Sequence, residues 1–469
     1  MNQKPRVGLL PLYLKLYDDC MADMRVELDR FLERVAAGLA GQGLDVERCP
    51  VCRVEEEFAT GVAGLESLNL DLLITLHLAY SPSLESIGAL ARTPLPLLIL
   101  DTTPDFEFGL DVDPQRILYN HGIHGVQDLA CMLRRRGKHY ETVAGHWERS
   151  DVFARAADVA RAARAARRLR QTRALRIGEP FAGMGDFAVD ERVMKDVLGI
   201  ATTEITIYEL VPFVEQVTGE MIDAEVAGDL QEFGGKVDSE AHRRSVRLGL
   251  GLRLYLEEGG YNAFSANFLA FNDYDEPVST VPFLEISKAM ARGIGYAGEG
   301  DVLTAALVGA LLAGWERTTF TEIFCPDWRG GALFLSHMGE INPAVAAAAG
   351  WFPQPMLFEK DFRFTPARNP VVLTCAPAPG PAVFVNLAPG PADSFSLIIA
   401  PVEVLGDGTH PAMRESVRGW IRPRCGVAEF LEEFSWLGGT HHSALVLGEH
   451  TGAIAAFARF AGIQEHIIG

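Results

Sequence analysis

The stretch Gly293–Leu307, G-I-G-Y-A-G-E-G-D-V-L-T-A-A-L, sets one carboxylate, Glu299, between glycines at the mouth of a strongly apolar helix. Glycine leaves no side chain between the backbone and an approaching group, and it tolerates angles that other residues resist. The apolar run Val302–Gly314 reads as a buried helix that anchors this loop. An acid held there is a candidate metal ligand or general base. By its letters Gly293-x-Gly295-x-x-Gly298 also matches a dinucleotide-binding fingerprint, which requires a strand before it. Phe283–Ala291 instead has helical spacing, and Glu299 and Asp301 would repel a pyrophosphate. The sequence contains no G-x-x-x-x-G-K-[ST], H-E-x-x-H or G-x-S-x-G.

Upstream of that stretch, short apolar runs alternate with helix-period segments. Arg6–Tyr13, Leu72–Leu76 and Leu97–Leu100 read as strands, with Leu44–Cys49 a weaker one, and Met21–Ala40 and Ser83–Leu90 read as helices. Alternation of this kind predicts a parallel sheet with helices on its faces, binding ligands beyond the carboxyl ends of its strands. Those ends carry Tyr13–Tyr17, His77–Tyr80 and Asp101–Thr103. Asp151–Arg176, mostly alanine and arginine, reads as one long interdomain helix with a solvated arginine face. A second αβ region follows, with a strand at Thr203–Glu209 and helices at Glu240–Glu258, Phe283–Ala291 and Val302–Gly314. Val371–Cys375, Ala382–Leu387 and Phe395–Ala400 are short β-rich runs separated by proline and glycine, which suggest an antiparallel sheet or barrel. His441–Leu447 reads as a strand and Gly452–Ala461 as a helix. The expected fold is α/β with three domains. Two doubly wound parallel-sheet αβα domains, 1–168 and 169–312, precede a C-terminal antiparallel β-rich, barrel-like domain, 313–469.

Composition narrows the function. At 469 residues, with 48% apolar and 22% charged side chains, the chain is globular and too long for one ordinary core. Its 42 basic against 62 acidic residues, a net charge of −20, argue against nucleic acid or an anionic membrane as a main partner. Seven cysteines without disulfide-framework density, no signal-peptide pattern and no apolar run of membrane-spanning length suggest a cytoplasmic protein. Cys49 and Cys52 form a C-x-x-C with no second cysteine pair or nearby histidine, and read as a loop bearing two free thiols.

Other acids and histidines sit in apolar or glycine-rich surrounds, where an unpaired polar group is costly. Glu322 lies in T-T-F-T-E-I-F, His337 in F-L-S-H-M-G-E, and the pair His441–His442 in W-L-G-G-T-H-H-S. Taken singly, each histidine reads as a satisfied core residue and Glu322 as a helix-surface or capping carboxylate. Spacing alone does not unite them with Glu299.

A family resemblance does. The order A-G-E-G-D (Ala297–Asp301), Glu322, S-H-M (Ser336–Met338) and G-G-x-H-H (Gly438–His442) resembles the L-arabinose isomerase family, with L-fucose isomerase as a more distant relative. Asn120–Gly125 is similar to the family's N-Q-x-x-H-G, Gly145–Trp147 to its G-H-W, and Gly259–Phe264 to its G-G-x-x-A-F. These matches run in order over nearly the whole chain. The resemblance implies a divalent metal held by Glu299, Glu322, His337 and His442. Two carboxylates and two imidazoles suit Mn²⁺, with Co²⁺, Mg²⁺ or Zn²⁺ as alternatives.

It further implies aldose–ketose isomerisation of a pentose or a related hexose or deoxyhexose. The metal would polarise the sugar carbonyl and stabilise an enediolate, while Glu299 and Glu322 serve as the acid–base pair. A hydride shift on the same ligands, an epimerase using the same site, and a non-catalytic sugar-binding or regulatory protein on the same fold are the alternatives. The implied assembly is a hexamer or trimer with active sites shared between subunits, His124 being lent across the interface. His124 alone reads as a loop histidine after a strand. Implied substrate contacts are Tyr17, His121, His124, Phe268 and His441, with Phe181 or Met184 replacing a family methionine. The chain departs from the family's G-S-Q-H-L-Y-G at Leu12–Asp18, where Leu14 replaces a glutamine, and His121 stands where the family has another. The resemblance therefore implies retained metal chemistry and altered sugar recognition.

Overall fold

A computed structural model of the protein describes residues 4–346 and 355–469. The chain forms two compact units, one extending through Arg164 and the other Ala165–Gly469. In the first, strands β1 (Arg6–Leu12), β2 (Asp45–Arg48), β3 (Leu72–His77), β4 (Leu97–Asp101) and β5 (Glu141–Ala144) form a parallel sheet ordered β2-β1-β3-β4-β5. Every residue of β3 is buried, the mark of a central strand covered on both faces by helices. The strand order reverses between β1 and β3, the point where such sheets open a crevice at their carboxyl ends.

The second unit begins with another parallel sheet. Its strands are β6 (Arg173–Ile177) and β7 (Ala201–Ile205) and, after the two-residue β8 (Gly234–Gly235), β9 (Ala263–Ala266) and β10 (Gly295–Gly298). The order is β10-β9-β6-β7. The glycine stretch expected as a loop is therefore itself strand β10. A Cβ on Gly295 would stand 2.2 Å from the Ala305 carbonyl oxygen and 2.5 Å from the Gly309 nitrogen. The glycine thus lets the apolar helix Val302–Gly314 lie directly on the strand. Packing, not phosphate binding, explains that letter pattern.

Further strands are β11 (Thr318–Asp327), β12 (Ala332–Ser336), β13 (Met356–Glu359), β14 (Val371–Thr374), β15 (Gly380–Pro389), β16 (Phe395–Val404), β17 (Gly419–Pro423), β18 (His442–Leu447) and β19 (Gln464–Ile467). Six of them run β15-β18-β11-β12-β17-β16, and β16 pairs back onto β15, closing an antiparallel barrel with β19 added parallel to β16. Phe384, Ile398, Ile421 and Leu445 fill its core with Phe430 from the helix Val427–Trp436. Closure leaves no unpaired ladder among these six strands. No helix among the described residues is long and apolar enough to cross a membrane.

Three expectations are corrected. The helix expected over Asp151–Arg176 ends at Arg170, and Arg173–Ile177 is strand β6. Ala174, Leu175 and Ile177 are wholly buried between β7 and β9, so burial overrides the local helix propensity. Two of its last arginines also tie the helix down: half-buried Arg168 donates to the carbonyls of Asn262 and Gly293 (3.2 Å each) and exposed Arg170 to that of Ala461 (2.9 Å). The strand expected at Thr203–Glu209 is Ala201–Ile205, because Thr206 begins a short helix with a capping box. Its hydroxyl accepts from the Tyr208 nitrogen, while Glu209 accepts from the Thr206 nitrogen. Finally, β14 joins a separate sheet, β14-β13-β8, instead of the barrel. Val371 and Leu373 pack there with Leu250 and Leu284.

Candidate metal centre and active site

Glu299 follows β10 directly, in the turn at the carboxyl edge of its sheet, with a φ of 64°. A left-handed non-glycine residue is strained, and such residues cluster at functional sites. Backbone bonds fix the turn: the Glu299 nitrogen donates to the Ala266 carbonyl (3.0 Å) and its own carbonyl accepts from the Phe181 nitrogen (2.9 Å). A Cβ on Gly298 would stand 2.7 Å from the His337 ring, so this glycine admits the imidazole.

The barrel supplies the other groups. Glu322 on β11 is registered opposite His442 on β18 and opposite Ser336 on β12. Directly opposed residues share one face of an antiparallel sheet, so Glu322 faces His442. His337 follows Ser336, and its Nε2 lies 3.9 Å from Glu322 Oε2. His442 Nε2 lies 3.5 Å from Glu299 Oε2. Two groups of mutually close ligand atoms result, Glu299–His441–His442 and Glu322–His337–His442, which share His442.

A second layer of carboxylates orients the rings. His442 Nδ1 donates to Asp301 Oδ2 (3.0 Å), while Asp301 Oδ1 caps the helix Val302–Gly314 through the Thr304 nitrogen (2.8 Å). His337 Nδ1 donates to Glu340 Oε2 (2.8 Å); Glu340 also accepts from the Tyr296 hydroxyl (2.8 Å) and the Gly339 nitrogen (2.8 Å). A carboxylate can only accept from Nδ1, so in the neutral ring Nε2 is the nitrogen that offers its lone pair toward the site. The buried Nε2 of His442 has no hydrogen-bond partner. An orphaned imidazole nitrogen beside two carboxylates and a second imidazole is a donor set that fits a divalent cation. Phe320, registered on the same face as Glu322, sets its ring edge-on to His337 (4.8 Å) and His442 (5.1 Å).

The two acids are driven apart in acidity. Burial pushes Glu322 above the ordinary carboxylate range, more than the nearby histidines pull it down. Burial acts on Glu299 too, but the hydrogen bond from His441 and the charges of His442 and His337 outweigh it, leaving its carboxyl below that range.

Residues 182–313 match the family of the L-arabinose isomerase central domain, and residues 317–464 match that of the L-arabinose isomerase C-terminal domain. The chain belongs to the L-arabinose isomerase family. L-arabinose isomerase from Geobacillus kaustophilus is 26% identical over 409 residues, covering 84% of this chain and 80% of that one. The enzyme from Nocardioides is 29% identical over 383 residues, 78% of this chain and 74% of the relative. That from Herpetosiphon aurantiacus is 27% identical over 414 residues, 84% and 79% respectively. As a member of an isomerase family, the chain is an enzyme of the aldose–ketose isomerase class.

Within this family member, His441 stands apart from its neighbour. Its backbone nitrogen (2.9 Å) and Nδ1 (2.6 Å) both meet Asp186 Oδ2, and its Nε2 lies 3.5 Å from Glu299 Oε2. Against the opposing effect of burial, Asp186 and Glu299 raise His441 to about 10, and His441 lowers Asp186 to about 2. The stability His441 gains from Asp186 is complete below its ordinary value of 6.5 and is lost as pH rises through about 10. In chelator-treated protein, the melting-temperature gap between wild type and Asp186→Asn is expected to be widest below about pH 6.5 and to close toward pH 10. A gap that stays constant over that range would remove the ion pair.

Phe181 and Phe268 adjoin the site, with ring centroids 5.8 Å apart, and Phe362 and Phe364 extend the aromatic row from Phe268. Met184 is half-buried on the segment between Phe181 and Asp186. Tyr17, His121 and His124 belong to the first unit. There Tyr17 stands edge-on to Tyr13, and His121 Nε2 meets His124 Nδ1 at 2.5 Å. His124 lies on the helix Gly122–Arg135, not on a loop. Sequence reading missed Asp186, Phe187, Asp301 and Glu340 as ring-setting groups. Glu340 stood three residues after His337, and Asp301 within A-G-E-G-D; Asp186 carried no local signal. Phe187 stacks on His442 with centroids 5.3 Å apart.

Proposed function

We propose that this protein is a metal-dependent aldose–ketose isomerase acting on a pentose or a related hexose or deoxyhexose. The observation that carries the reading is that Glu299, Glu322 and His337 gather around the buried Nε2 of His442, which has no hydrogen-bond partner. Glu299, Glu322, His337 and His442 are the proposed ligands, and Mn²⁺ is the proposed ion. When bound, a divalent cation withdraws electron density from the sugar carbonyl and offsets negative charge on its oxygens.

The protein's own groups do the rest. Glu322, raised above the ordinary carboxylate range by burial, is suited to take the proton from C2 of the open sugar and return it to C1. Glu299, held ionised by the histidines, remains a fixed negative charge. His441, kept cationic by Asp186, presents a positive edge to a sugar oxygen. Phe181 and Phe268 form the apolar wall of the sugar site, with Met184 beside them. Tyr17, His121 and His124 enter this proposal through the family resemblance, as does an assembly of trimers paired into a hexamer with shared sites. Exposed Phe106, Phe108 and Leu110 are apolar surface of the kind subunit contacts cover.

The test is a panel of aldoses and ketoses, assayed with Mn²⁺ and again after chelation. Interconversion of at least one sugar, lost on chelation and restored by metal, is the expected result. Binding without conversion across the panel would replace the enzyme by a sugar-binding protein, and chelator-resistant turnover would remove the metal.

A further inference from the structure

The C-x-x-C of the first unit is not used by the proposed reaction. We propose that Cys49 and Cys52 are a redox-active dithiol, converted to an intramolecular disulfide by a low-molecular-weight disulfide. The two sulfurs are in contact, Sγ to Sγ 3.8 Å, and both cysteines are free. Their backbones are pinned to the neighbouring strand. Cys49 N donates to the Leu9 carbonyl (3.0 Å), Cys52 N to that of Pro11 (3.0 Å), and the Cys52 carbonyl accepts from Tyr13 N (3.1 Å). The pairing is therefore held by the fold and does not depend on a mobile loop.

Room for the sulfurs comes from the helix Glu55–Glu66. A Cβ on Gly61 would stand 2.5 Å from Cys49 Sγ and 3.1 Å from Cys52 Sγ, so only glycine leaves both thiols in place there. Access comes from a cavity of about 650 Å³ that both cysteines line and that exposed Glu56, Thr60 and Leu68 rim. Among the described residues, the pair belongs to no group with a third metal-binding side chain, which favours thiol exchange over a metal cage. The thiol hydrogen bond sets the order of attack. It lowers Cys49 against the effect of burial, and it combines with burial to raise Cys52.

In the exchange, the Cys49 thiolate attacks one sulfur of the small disulfide, whose S–S bond breaks and releases the first thiolate. Cys52 then loses its proton to water and attacks Cys49 Sγ, expelling the second thiolate. Two cysteine thiols are oxidised and one small disulfide is reduced to two thiols. Because Cys52 is bridged to Leu12, closing the pair acts directly on the carboxyl end of β1, one residue before Tyr13.

The experiment equilibrates the full chain in buffers of increasing glutathione disulfide to glutathione ratio, then alkylates, digests and weighs the peptides. The expected product is a peptide carrying Cys49 and Cys52 that has lost two hydrogens, takes up no alkylating agent and is restored by dithiothreitol. Cys52→Ser is expected to convert it into a single glutathione adduct at Cys49. Full alkylation of both cysteines at the most oxidising ratio would overturn the proposal, and so would a wild-type reaction that stops at a glutathione adduct.

Discussion

Glu322→Gln is expected to lower turnover by roughly 10²- to 10⁴-fold, the range lost when a positioned acid–base group is removed. The amide matches the carboxylate in size, and the Glu322 side chain is 22% exposed, so the strand needs no rearrangement to hold it. The amide cannot accept a proton near neutral pH, and it offers the proposed ion a neutral oxygen in place of an anion. Glu299→Gln is expected to lose activity comparably by a different route. It removes the negative charge that His441 and His442 face at 3.5 Å each, so metal affinity falls together with turnover. Activity and Mn²⁺ titration measured on each variant separate the two roles. Near-normal turnover in Glu322→Gln would end its assignment as the proton carrier, and unchanged metal affinity in Glu299→Gln would remove it from the ligand set.

Phe320→Ala is expected to destabilise the protein by about 3–5 kcal/mol, the usual cost of emptying a well-packed aromatic site. Phe320 is 1% exposed and lies among Tyr296, His337 and His442, with ring centroids 5.6, 4.8 and 5.1 Å away. Removing it opens a void beside two imidazoles, so the rings gain freedom as the core loses contact. Metal affinity is therefore expected to fall as well, although Phe320 carries no ligand atom. Phe320→Leu, which keeps most of the volume, should recover much of both losses. Chemical denaturation of the chelated variants reads the first effect and Mn²⁺ titration the second. A stability loss under about 1 kcal/mol would mean that the site collapses around the smaller residue and that the ring does not hold the histidines.

What could be read without coordinates was local and periodic. The helices Ser83–Leu90, Phe283–Ala291 and Val302–Gly314 have the bounds their apolar spacing indicated, because an apolar face must find a core whatever that core is. Burial inside the sheets was not legible. Arg173–Ile177 carries helix-forming residues, yet it lies between two strands, and only the partners decide that. The same division runs through the site. Glu299 stood out among its glycines, and the order of Glu322, His337 and His442 was visible as a family pattern. The second layer was invisible, since Asp186 meets His441 across 255 residues and Asp301 meets His442 across 141.

By itself the sequence determined which side chains could do chemistry and that apolar-patterned segments such as Phe283–Ala291 and Val302–Gly314 had to be helical, for both follow from residue type and short-range spacing. Tertiary structure alone decided that Glu322 faces His442, through the register of β11 on β18. It alone decided that one buried acid is raised and the other lowered. The reason is physical: register and acidity are set by neighbours distant in the chain, and no local pattern records them.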